Sequence, residues 1–191
     1  MNTKEKIQKV AIKMFAEKGY TETSLRKIAN ELNISKPALY YHFTNKEEIF
    51  TSIIRNIFDE NIKYHKELAK KDIPTWDILR QWIDKTIYFA FARKEVWQVI
   101  HQIMMGKFQN KFDDLDLMLF IDTNFNILHR VIKNGIKNGE IRNDIDSKIL
   151  TINFLSSINS VLGPMRSKVK KIDSKKISEM IYKILYNGMK K

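Results

Sequence analysis

The sequence contains no cysteine. That absence removes disulfides, thiolate zinc sites and cysteine-based catalysis from consideration. Histidine is scarce as well, four residues in 191 with no H-x-x-x-H spacing, so neither a metal nor a cofactor is expected. Proline occurs only at 37, 74 and 164 and glycine six times, which leaves long stretches free of helix breakers. Long apolar runs are missing too: Trp82 to Phe91 already encloses Asp84 and Lys85, so nothing approaches the roughly 20 residues that cross a bilayer. The opening MNTKEKIQKV lacks the apolar core of a secretory signal, and the cytoplasm is the expected compartment. No phosphate loop, nucleotide fingerprint or nucleophile paired with a base is present, so no catalytic residues and no enzymatic activity are expected.

What is present is apolar and basic. Apolar residues make up 43% of the chain, enough for a sizeable core, and the formal net charge is +12 with an isoelectric point near 9.7. Such a charge favours polyanionic partners, because Lys and Arg that neutralise phosphates release condensed counterions. The charge is not gathered at one site: the basic run from Arg166 through Lys176 lies far from the N-terminal motif and reads as a solvated connection between helices.

The pattern is helical throughout, with no alternating strand signal and no repeat. A first helix, roughly Lys4 to Lys18, carries Ile7, Val10, Ala11, Met14 and Phe15 on one face and stops at Gly19. Thr23 is positioned to cap a second helix from Ser24 to about Leu32, with Leu25, Ile28, Ala29 and Leu32 inward. Asn33 tolerates a left-handed turn, Ser35 caps a short third helix, and Pro37 falls in its first turn, where proline is permitted. Asn45 with Glu48 resembles a capping box for a long fourth helix that ends before Pro74. Five more helices follow at about Thr75–Arg93, Glu95–Met105, Asp113–Asn138, Asp146–Leu162 and Ser174–Asn187, making an all-α chain of about nine helices.

Residues 4 to 43 meet the demand of a helix-turn-helix: three helices around a small core of Phe15, Ala29, Ile34, Leu39 and Phe43, the last presenting Lys36, Ala38, Tyr40, Tyr41 and His42 outward. Two adjacent tyrosines and a histidine on a short exposed helix can each donate to a phosphate. Tyr40 has a second reading, as a ring partly packed in the domain core with only its hydroxyl exposed.

The run AIKMFAEKGYTETSLRKIANELNISKPALYYHFTNKEEIF resembles the DNA-binding domain of the tetracycline-repressor family, notably at Phe15, Gly19-Tyr20, Thr23-Ser24, Ile28-Ala29, Ser35-Lys36, Leu39-Tyr40, His42-Phe43 and Lys46-Glu47. The resemblance implies a dimeric repressor bound to a palindromic double-stranded operator and released by a small-molecule effector. Residues 1–61 would be the DNA-binding domain and residues 62–191 a helical domain for effector binding and dimerisation. By the same resemblance Lys36, Pro37 and Ala38, which follow the Ser35 cap, would touch bases. Tyr40, Tyr41, His42 and Lys46 would grip phosphates, while Ser24 and Arg26 would supply a phosphate anchor and a base contact.

Residues 75 to 140 are rich in large apolar side chains. At helical spacing these read first as core; the second reading is a pocket for an apolar or amphipathic effector, lined by Trp82, Phe89, Trp97, His101, Met104, Met105 and Phe125. The last two helices carry Leu155, Ile158 and Leu162, then Ile177, Ile181, Ile184 and Leu185, stripes that either close the subunit or pair with a second copy as a four-helix bundle. A different class of function remains open on composition alone: a basic helical protein binding nucleic acid or membrane surface through charge. The order of core, turn and capping residues at 23 to 46 argues against it, because charge alone requires no such order.

Overall fold

The computed structural model describes residues 2–93, 95–97, 117–162 and 172–191. Among these it has eight helices: α1 (Thr3–Lys18), α2 (Leu25–Glu31), α3 (Lys36–His42), α4 (Lys46–Leu68), α5 (Thr75–Ala92), α6 (Leu117–Lys137), α7 (Ser147–Leu162) and α8 (Ser174–Met189). The helix expected over 95–105 lies outside the described residues beyond Trp97. The all-helical expectation holds, joined by one isolated antiparallel bridge between Ile141 and Lys190.

The chain divides into two compact units. Of the described residues, the first unit holds 2–59, 93 and 95–97, and the second holds 60–92, 117–162 and 172–191; α4 runs from one into the other.

In the first unit each helix start is fixed locally. Asn2 and Glu5 form a reciprocal capping box on α1. Gly19 ends that helix at φ +87°, in the region that favours glycine, and its N–H donates to Phe15 O. Ser24, one residue later than the sequence suggested, caps α2 by accepting from Lys27 N. The expected cap, Thr23, is buried instead and donates its hydroxyl to Gly19 O at 2.9 Å. Asn45 caps α4 by accepting from Glu48 N, while the Glu48 carboxylate turns to Thr44, accepting from its N–H and hydroxyl. Those hydrogen bonds hold the Glu48 carboxyl below its usual range. The core comprises Ile7, Ala11, Ile28, Ala29, Leu39, Phe43, Ile49 and Ile54, with Phe15, Tyr20 and Phe50 in mutual ring contact at centroid distances of 5.2–5.6 Å. Ile34 is only half-buried.

The second unit is a bundle in which α5 packs against α6, α7 and α8, and α7 against both α6 and α8. Glu140 ties it together: its carboxylate accepts from Thr75 N at 2.8 Å and Thr75 Oγ1 at 2.7 Å, capping α5, and its carbonyl accepts from Trp76 Nε1. The α6–α7 turn also holds the end of α8, through Arg142 N to Met189 O and Lys191 N to Glu140 O. No described helix is long and apolar enough to cross a membrane.

Candidate nucleic-acid interface

The helix-turn-helix is built by four local devices. Ser24 caps α2, Asn33 takes the left-handed conformation at φ +52°, Ser35 caps α3 by accepting from Ala38 N, and Pro37 occupies the first turn of α3. Asn33 stands among the residue types that reach this region at low cost, so the turn forms without glycine. Ile34 N donates across the turn to Ala29 O at 3.1 Å, which closes the angle between the helices.

With Leu39 buried, the opposite side of α3 faces solvent. Lys36, Pro37, Ala38, Tyr40 and Tyr41 are exposed, together with Ser24, Arg26 and Ser35 at the starts of α2 and α3. Tyr41 is 86% exposed and Tyr40 53%, so Tyr40 divides its ring between protein and solvent. His42 is half-buried, its ring edge-on to Tyr41 at 5.1 Å. Between α2 and α3 lies a cleft of about 380 Å³ lined by Thr21, Thr23, Ser24, Leu25, Arg26, Lys36, Leu39, Tyr40 and Lys46. Two exposed cationic side chains, Arg26 and Lys36, and several hydroxyls on one concave surface suit a phosphate backbone better than a neutral ligand.

Residues 7–53, which hold this whole arrangement, match the model for bacterial regulatory proteins, tetR family. That segment is a TetR-type helix-turn-helix. The chain is 46% identical over 61 residues to the biofilm operon icaADBC HTH-type negative transcriptional regulator IcaR of Staphylococcus epidermidis, covering 32% of this chain and 33% of that one. The match thus spans about a third of the curated relative's length. The TetR fold continues beyond it. The fatty acid degradation regulator FadR from Bacillus halodurans superposes with a TM-score of 0.81 over 98% of this chain and 97% of its own at 17% identity. FadR from Bacillus subtilis, in complex with stearoyl-CoA, gives 0.74 over 96% and 98% at 21%.

Lys46 occupies a different place from the one expected. It is half-buried, and its ammonium donates to the carbonyls of Tyr20 (2.8 Å), Thr23 (3.0 Å) and Thr21 (3.3 Å) while lying 4.3 Å above the Tyr20 ring. Burial, with Glu47 alongside, pushes the Tyr20 phenol well above its ordinary range, which keeps that ring neutral.

The expected effector residues are scattered. Trp82 is 2% exposed and stacked on His65, rings 3.6 Å apart and 7° from parallel. Phe89 and Phe125 are half-buried in the same unit, Trp97 is half-buried in the first unit, and His101, Met104 and Met105 lie outside the described residues. The sequence reading missed His65, whose Nδ1 lies 2.8 Å from Asn124 Oδ1 and whose Nε2 is buried without a hydrogen-bond partner. Burial lowers the His65 pKa to about 4, so it is neutral near pH 7. Polar residues on the inward stripes of α4 and α6 are the signal that could have paired it with Asn124.

The expected dimer stripe also divides. Ile158, Leu162, Ile177, Ile181 and Leu185 are buried within the subunit, and Leu155 is half-buried. Of that set Ile184 alone is exposed, at 69%. The exposed apolar residues of these helices are Ile149 and Ile152 on α7 and Met180 and Ile184 on α8.

Proposed function

We propose that this protein is a dimeric transcriptional repressor that binds a palindromic operator through α3 and is released by an apolar or amphipathic small molecule. In this reading residues 1–61 read DNA and residues 62–191 bind effector and partner subunit. The observation that carries it is the cleft between α2 and α3, where Arg26, Lys36 and Tyr40 converge beside an exposed Tyr41. Lys36, Pro37 and Ala38 reach base edges, while Tyr40, Tyr41 and His42 hold phosphates. The name of the staphylococcal relative supports negative regulation, and the stearoyl-CoA bound by Bacillus subtilis FadR supports an amphipathic effector. Such a protein works beside the chromosome, in the cytoplasm.

Dimerisation uses the exposed faces of α7 and α8. Effector binding takes place in the second unit, where Trp82, Phe89 and Phe125 supply apolar contact and the unpaired Nε2 of His65 a polar one. An effector changes operator affinity only by its differential affinity for two arrangements, so it must act on an element shared with the reading unit; α4 is that element.

The test is selection of genomic fragments by the purified protein, followed by Lys36→Ala and Tyr40→Ala on the enriched site. Each variant should weaken operator binding, Lys36→Ala with relaxed preference at one position of each half-site. Equal affinity for selected and random duplex in the wild type would return the protein to the class of charge-driven binders.

A further inference from the structure

The turn between α1 and α2 has every carbonyl engaged. Gly19 O accepts from Thr23 Oγ1, Tyr20 O from Thr23 N and Lys46 Nζ, Thr21 O and Thr23 O from Lys46 Nζ, and Glu22 O from Lys27 Nζ at 2.6 Å. An ammonium carries three N–H donors, and three carbonyls from one short turn converge on that of Lys46. The Tyr20 ring closes the same cradle from one side. In the first turn of α4 a cation opposes the positive end of the helix dipole, so the position needs a strong counterweight. The carbonyl cradle supplies it without DNA.

We infer that Lys46 is a positioning residue of the reading unit: it fastens the Tyr20–Thr23 turn to the start of α4 and so fixes Ser24 and Arg26 opposite Lys36 and Tyr40 across the cleft. This deepens the operator-binding reading above and rests on it. It also reverses the role implied by the family resemblance, in which this lysine grips a phosphate directly. Loosening the turn leaves the phosphate-facing cations in place but lets the two walls of the cleft drift, which damages a fit to one site more than attraction to any duplex.

Two variants separate the roles. Lys46→Arg keeps the charge and remains a good phosphate ligand, but a planar guanidinium cannot aim one nitrogen at three carbonyls. Lys46→Gln removes the charge. With operator and random duplexes titrated across a salt series, positioning predicts that Lys46→Arg loses roughly tenfold on the operator, about what one charged hydrogen-bond set contributes, and little on random DNA. The slope of log affinity against log salt should stay unchanged in Lys46→Arg and move by less than about half a unit in Lys46→Gln. Wild-type operator affinity in Lys46→Arg, with a slope loss of about 0.9 in Lys46→Gln, would instead make the lysine a direct phosphate contact. An equal loss on both duplexes in Lys46→Arg at constant slope would make it a fold-stability residue only; either result overturns the inference. Amide exchange without DNA gives a readout independent of any operator. The Thr23 amide should exchange several-fold faster in both variants while the amides of α3 keep their protection. An unchanged Thr23 amide overturns the positioning role even where no operator has been found.

Discussion

In the dimer proposed above, Ile152→Glu combined with Ile184→Glu should yield folded monomers. Ile149, Ile152, Met180 and Ile184 are 56, 50, 48 and 69% exposed, together equivalent to roughly two fully exposed side chains. At about 1.5–3 kcal/mol per side chain, covering them contributes about 3–7 kcal/mol per subunit and twice that in a twofold pair. Association itself costs about 4–15 kcal/mol, so this face is needed almost whole for a stable dimer. The double variant removes half the stripe and places like charges across the twofold axis, which should raise the dimer dissociation constant by at least about a thousandfold, the equivalent of about 4 kcal/mol. Sedimentation velocity over a concentration series reads the mass, and circular dichroism checks the fold. Ile181→Glu with Leu185→Glu is the contrasting control: those side chains are 5% and 2% exposed, so the subunit itself should unfold. A double variant at Ile152 and Ile184 that is folded and still dimeric would refute the assignment of this face.

Gly135→Ala should destabilise the second unit by about 1–2 kcal/mol in urea unfolding. A Cβ there would lie 2.7 Å from Thr75 Cγ2 and 2.8 Å from Ile141 Cδ1, and Thr75 cannot turn aside without giving up its hydrogen bond to Glu140, so crowding of about 1–3 kcal/mol outweighs a helix-propensity gain of up to about 1 kcal/mol. A variant as stable as wild type would show that the Thr75–Glu140 clamp yields. Burial is the main cause, and the nearby Lys85 a minor one, of the depressed His65 pKa of about 4, against 6.5 when unfolded; the Asn124 hydrogen bond partly opposes them. Between those values the unfolded chain binds more protons, so the His65 contribution is complete above pH 6.5 and is lost as pH falls toward 4, at most about 3 kcal/mol. Unfolding free energies measured across that window should fall more steeply in wild type than in His65→Gln; parallel curves would contradict a neutral buried imidazole.

The reading unit was legible because its determinants are local. Ser24, Asn33, Ser35 and Pro37 act within a few residues of themselves, and only the choice of Ser24 over Thr23 as cap went astray, since Thr23 is drawn inward to Gly19. Lys46 was not legible in the same way. Its partners lie 23 to 26 positions upstream, and nothing in local pattern reveals a carbonyl cradle. Periodicity found the stripes on α7 and α8 but not what covers them: Ile177, Ile181 and Leu185 face inward, while Met180 and Ile184, on the same helix, face out. Trp82 looked like a pocket wall because an aromatic on a helix carries no mark of its neighbour, and its neighbour proves to be the buried imidazole of His65.

The packing of α5 against α8 has a consequence in time. Asp84 accepts a hydrogen bond from Ser178, 94 positions later, and Trp76 meets Tyr186 edge-on at 4.8 Å. At about 5–20 residues per second on the ribosome, α5 waits roughly 5–20 seconds before the helix that covers it has been made. The ring contacts among Phe15, Tyr20 and Phe50 in the reading core join residues made long before that helix. Synthesis therefore delivers the DNA-reading core first and the cover for α5 last, and in that interval α5 is the surface a chaperone would meet.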